Sequence, residues 1–156
     1  MAVAIREVFA HTDEKAETWY FDNPTPALTL VVDQGRVAVT LTNTEGVAGT
    51  SKTFGPLTVS GIVRPGASNR KATAGGANKK AAGVALDGTW AFASIVSTIA
   101  GGAAVPTTTA QSTPVYVTAG GALTLESSGN TKVGTVNYVA NHAKVAGTLP
   151  IKLIGA

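Results

Sequence analysis

Apolar and polar residues alternate with a period of two along much of this chain, in short runs separated by glycine, serine and asparagine. That period belongs to β-strands with one buried face. Leu28, Leu30 and Val32 alternate with Thr29 and Val31, and Val37, Val39 and Leu41 alternate with Ala38, Thr40 and Thr42. Asp33-Gln34-Gly35 between them has hairpin length, so these runs predict a β-hairpin. Asn43–Thr50 reads as a loop. Phe54–Val63 reads as a strand region interrupted at Gly55-Pro56 and Gly61. Val84–Leu86 and Thr89–Ile95 flank an Asp87-Gly88 turn, with Trp90 and Phe92 on one face and Ala91 and Ala93 on the other. After a Gly/Ala/Thr loop over Ala100–Gln111 come four more strand candidates: Pro114–Thr118, Ala122–Glu126, Lys132–Val139 and Thr148–Ile154. Ala119-Gly120-Gly121, Ser127–Asn130 and Asn141–Gly147 separate them. The expected fold is all-β: an antiparallel β-sandwich or small barrel with an extended N-terminal arm and long surface loops.

Two stretches break the pattern. Residues 1–26 form a leader distinct from the β-domain expected over 27–156. Val3, Ile5 and Val8-Phe9 fit a short strand, while Thr12 followed by Asp13, Glu14 and Glu17 resembles a helix N-cap with acids in its first turn. Four of the nine acidic residues fall within Asp13–Asp22. Trp19-Tyr20-Phe21 forms a dense aromatic cluster, and Asn23-Pro24-Thr25-Pro26 ends regular structure. Aromatics dominate buried interface anchors, so the leader reads as an arm that docks on a neighbouring subunit, with Ile5, Arg6, Phe9, Trp19, Tyr20 and Phe21 as candidate contacts. The second stretch, 64–82, carries Arg64, Arg70, Lys71, Lys79 and Lys80 among Gly, Ala, Ser and Asn, and no acid occurs between Glu45 and Asp87. It reads as a long basic surface loop. Its five basic residues are candidates for meeting an acidic partner surface.

Composition narrows the class. The chain has 156 residues, of which 44% are hydrophobic and only 13% charged, with a mean hydropathy of +0.21. One domain with a real core fits that length. Net charge is +3, too small an excess to argue for nucleic acid, and the basic loop has no aromatic on which bases could stack. There is no cysteine, hence no disulfide framework or thiol nucleophile. The N-terminus has no apolar run, so no signal peptide is expected. Trp90–Val105 is too short and too rich in Ser, Thr and Gly for a membrane helix, which needs about 20 apolar residues.

Chemistry-bearing motifs are missing. His11 and His142 are the only histidines, and neither sits in an HExxH-type spacing. No G-x-S-x-G elbow, P-loop, G-x-G-x-x-G or EF-hand pattern occurs. The sequence thus predicts a non-enzyme without catalytic residues, metal or cofactor.

ALDGTWAF (Ala85–Phe92), TPVYVTAGGALTLESSGNTKVGTVNYV (Thr113–Val139) and GTLPIKLIG (Gly147–Gly155) resemble, in order and spacing, the capsid decoration (cement) proteins of tailed bacteriophages. The motifs carrying the resemblance lie at Leu86–Trp90, Ala110–Tyr116, Gly129–Gly134 and Leu149–Leu153. It covers the chain from Ala85 to the end and does not reach the first 80 residues. Gln111-Ser112 stand where a glycine is usual. The resemblance implies a non-enzymatic virion protein, made in the host cytoplasm. It would bind the outer surface of the head through the major capsid protein, as trimers at three-fold and quasi-three-fold positions, without nucleic acid or membrane. A tail-tube or head–tail joining protein and a carbohydrate-binding β-module at a cell surface are the alternatives, with a small β enzyme behind them.

Overall fold

A computed structural model of the chain describes residues 2–10, 16–44, 50–54, 57–62 and 80–154. Twelve strands and no helix occur among them. They are β1 (Ala2–Ala10), β2 (Ala16–Phe21), β3 (Thr29–Asp33), β4 (Arg36–Thr40), β5 (Thr50–Phe54), β6 (Leu57–Ile62), β7 (Lys80–Ala85), β8 (Thr89–Phe92), β9 (Pro114–Val117), β10 (Leu123–Thr124), β11 (Thr131–Val136) and β12 (Leu149–Leu153). Strands β5 and β6 pair as a separate hairpin. The other ten form one antiparallel sheet in the order β10-β9-β11-β12-β8-β1-β3-β4-β7-β2, curled into half a barrel.

Strand β1 makes the curl. Ala2–Ala4 pair with β3, whereas Ile5–Ala10 pair with β8, and the β8 ladder slips register at Ile5/Glu7 and again at Val8/Ala10. Bulges of this kind bend a strand and let it pass from one sheet to another. Of residues 1–26, read from sequence as an arm, the described parts hold β1 and β2, both hydrogen-bonded into the large sheet. The helical reading of Thr12–Glu17 is corrected in its described part: Ala16 and Glu17 begin strand β2. The three alternating residues Glu17, Trp19 and Phe21 have strand periodicity, and it prevails over the capping pattern.

Period two sorts side chains into two cores. Leu30, Val37, Val39 and Ala85 face the interior of the curl and meet Trp90, Phe92, Ile95, Val115, Val133, Leu149 and Ile151. Their neighbours Val31, Ala38, Val84 and Leu86 point the other way and pack with Trp19 and Phe21 as a second, smaller cluster. The predicted shared face of Trp90 and Phe92 is therefore present in the main core. The β3–β4 hairpin closes through Gln34 and Gly35, both at positive φ (48° and 80°). That is the two-residue turn whose twist matches paired strands.

The four strands expected at the C-terminal end appear as β9 to β12 with shifted ends: β9 loses Thr118, β11 begins one residue early at Thr131 and stops at Val136, and β12 loses one residue at each end. β10 keeps only Leu123–Thr124. One boundary is corrected: Lys80–Ala82, read as the end of the basic loop, belong to β7. Ala82 lies opposite Trp19 and Ala81 opposite Tyr20. Small residues there leave room for the aromatic rings, and alanine carries no strand signal of its own.

Buried threonines fix the link from β2 to β3. The Thr40 hydroxyl donates to the Pro26 carbonyl at 2.6 Å and accepts from the Thr29 amide at 3.0 Å. The Thr25 amide donates to the Thr44 hydroxyl at 2.7 Å, and the Thr44 amide donates back to the Thr25 carbonyl at 3.0 Å. Each buried hydroxyl is thereby satisfied, as interiors require.

Gly134 sits where β11 slips register against β9 and lies opposite Leu153 of β12. A Cβ there would overlap the Lys152 carbonyl and crowd the Ile151 side chain. Gly134→Ala is expected to lose about 1–3 kcal/mol, the usual cost of overpacking. Urea denaturation checks this: the midpoint falls while the slope is unchanged.

Candidate docking groove

The sheet carries residues of the leader to two different places. Ile5, Arg6 and Phe9 belong to β1, in the middle of the sheet, with Ile5 paired to Phe92 and Arg6 and Phe9 at the two register slips. Trp19, Tyr20 and Phe21 belong to β2, the last strand in the order, and β3, β4 and β7 stand between the two groups. The leader's candidate contacts are therefore not gathered into one surface. Of the basic residues, Lys80 opens β7 opposite Phe21. Arg64, Arg70, Lys71 and Lys79 lie outside the described residues.

Beside β2 is an open groove of about 680 Å³. Glu17 to Phe21 and the following Asp22–Thr25 form one wall, and Val31, Val32, Asp33 and Arg36 of the β3–β4 hairpin form the other. The threonine bonds described above hold the Asp22–Thr25 link in place.

One carboxylate organises the groove. Glu17 and Trp19 are two residues apart on a strand and so share a face. The Trp19 indole N–H donates to Glu17 Oε2 at 3.1 Å, and Arg36 Nη2 donates to the same oxygen at 2.7 Å. The Arg36 guanidinium also lies 5.3 Å from the centroid of the Trp19 ring, within range of a cation–π contact. Hydrogen bonds from Arg36 and then Trp19 hold the Glu17 carboxyl below the ordinary carboxylate range, and burial opposes them weakly. Trp19 is consequently a wall of the site, only 8% exposed. Tyr20, at 40%, is the aromatic of the cluster most open to a partner.

Sequence reasoning found Trp19, Tyr20 and Phe21 but missed Glu17, Asp22, Asp33 and Arg36 as groove residues. Glu17 and Arg36 are 19 positions apart, and nothing in the sequence pairs them. The one available signal was that Glu17 lies two residues before Trp19 in an alternating run.

Elsewhere, Tyr138 stacks at a tilt against His142, 5.6 Å between centroids, with Lys144 Nζ 4.2 Å above the Tyr138 ring. Burial raises the Tyr138 hydroxyl above its ordinary range. Among the described residues, no group of three or more His, Asp or Glu could hold a metal ion. No helix among them is long and apolar enough to cross a membrane.

No family model, curated protein or solved structure matches the chain.

Because the folded state holds the Glu17 proton affinity down, the triad is intact above the ordinary value of 4.5 and is lost as pH falls through the lower folded value. Tryptophan emission is expected to change in acid, with its midpoint below pH 4.5. In Glu17→Gln this step should vanish while emission from buried Trp90 persists. A step that survives in Glu17→Gln would assign it to another group.

Proposed function

We propose that the protein is a structural virion component that binds the outer surface of a phage capsid and stabilises the head as trimers. One observation supports the reading most. Among the described strands the large sheet ends on a six-residue strand paired on one side only, and that strand carries Tyr20 beside an open groove. A strand edge of that kind has to be covered by something. A closed ring of subunits on a shell is one way of covering such surfaces. The resemblance of Ala85–Gly155 to decoration proteins supplies the kind of shell. In this reading β2 and its groove face a neighbour, and the basic stretch from Arg64 to Lys80 meets acidic capsid surface.

Binding is best tested by point changes, because deleting residues 2–21 would remove a central strand as well as the edge. The purified protein should co-sediment saturably with expanded heads of the phage that encodes it, at a stoichiometry matching three-fold positions. Tyr20→Ala should weaken that binding. Neutralising Arg64, Arg70, Lys71, Lys79 and Lys80 together should flatten its dependence on salt. No binding to either expanded or unexpanded heads would refute the capsid assignment.

A further inference from the structure

The outer side of the C-terminal half of the large sheet carries cations with no carboxylate across from them. Val115, Val117, Val136, Ile151 and Leu153 fill the main core, so the residues that alternate with them on β9, β11 and β12 face outward. Register sets Lys132 opposite Tyr116, and Thr135 opposite both Pro114 and Lys152. Directly opposite residues share a face, so Tyr116, Lys132, Thr135 and Lys152 belong to one patch. Lys132 and Lys152 are exposed, and Tyr116 and Thr135 are half-buried.

An opposite charge on the neighbouring strand is the usual way for a sheet to balance an exposed cation. Here the cross-strand neighbours of the two lysines are Tyr116, Thr135 and Thr89. Residues 81–156 hold two acids, Asp87 and Glu126. Glu126 accepts from the Ile99 amide at 3.1 Å, and Asp87 keeps Oδ1 buried without a partner. Among the described residues the only ion pair is Arg36 with Glu17, in the other half of the sheet. No side-chain hydrogen bond engages Lys132, Lys152 or the Tyr116 and Thr135 hydroxyls among the described residues. All four side chains can donate. A patch of unengaged donors with two ammonium groups and no carboxylate selects a partner rich in negative acceptors.

We propose that this outer face of β9, β11 and β12 is a docking surface for an acidic surface of a partner protein. Carboxylates of the partner would meet Lys132 and Lys152, and Tyr116 and Thr135 would supply further donors. A protein fits this face better than nucleic acid does. Two cations neutralise too few phosphates to hold a duplex, and a single tyrosine offers little for bases to stack on. The paired strands hold the four donors in fixed register, which lowers the ordering cost of binding. The face is separate in sequence from the Arg64–Lys80 stretch. The inference concerns the charge of the face, so it goes beyond attachment to a capsid.

The test uses the full chain, with poly-L-glutamate as the acidic probe and a DNA duplex for comparison. Calorimetry at low salt should show polyglutamate binding. Lys132→Gln with Lys152→Gln should weaken it at least about tenfold and flatten its salt dependence. Tyr116→Phe, which removes one donor and no charge, should weaken it roughly threefold. Amide NMR shifts should centre on β9, β11 and β12. The proposal is overturned if polyglutamate does not bind, or if the double lysine variant binds it as tightly as the parent. It is also overturned if neutralising Arg64, Arg70, Lys71 and Lys79 alone abolishes binding. A duplex that binds as tightly as polyglutamate, and is lost in the same lysine variant, would overturn it too and assign the face to nucleic acid. Polyglutamate binding without sedimentation on heads would sustain the face and remove the capsid reading. Sedimentation without polyglutamate binding would do the reverse.

Discussion

A single strand with two allegiances holds this fold together. β1 gives Ala2–Ala4 to β3 and Ile5–Ala10 to β8, with register slips that turn it between the two. The main core needs both sides of that turn. Leu30, Val39 and Ala85 come from one side, and Phe92, Leu149 and Ile151 from the other. Unless β1 bends, the sheet would run on flat and those faces would not meet. The pairing is also distant in sequence: Ile5 meets Phe92, and closing so long a loop costs chain entropy. Such closures slow folding.

The groove depends on that same arrangement. β7 and β4 are buried on both faces, with Val84 and Ala38 turned to the small cluster and Ala85 and Val39 to the large one. Trp19 can therefore pack against Ala38 and Val84 from the edge. Its indole N–H still needs an acceptor, as buried ring donors do. Glu17 supplies the acceptor, and Arg36 balances the charge of Glu17. Aromatic, carboxylate and guanidinium thus fix one another's orientation at the surface, in a chain with little charge elsewhere.

The strands were legible wherever alternation was strong. The β3–β4 hairpin, β8 and the four C-terminal strands follow from valine, leucine and threonine spacing with glycine-bearing turns between them. Lys80–Ala82 were not legible, because their place in β7 comes from fitting beside Trp19 and Tyr20 and not from their own propensity. The leader misled differently. Its acids suggested a helix start, yet in the described part Glu17 is needed on a strand face as the partner of Trp19 and Arg36. Pairings 19 residues apart through a side chain, as between Glu17 and Arg36, leave no periodic trace. The groove could be guessed only from its aromatics.

The two ends of the large sheet differ in kind. β10 is a two-residue strand, and Thr124 within it is already bridged to Val96. β2 is six residues long and regular. A sheet with two open ends can polymerise without limit, each unit seeding the next. Here the β10 end is occupied by Val96, which leaves backbone pairing to the β2 end among the described strands. Head-to-tail stacking of copies, β2 of one on β10 of the next, is thereby blocked, and with it the open-ended fibre that such stacking builds.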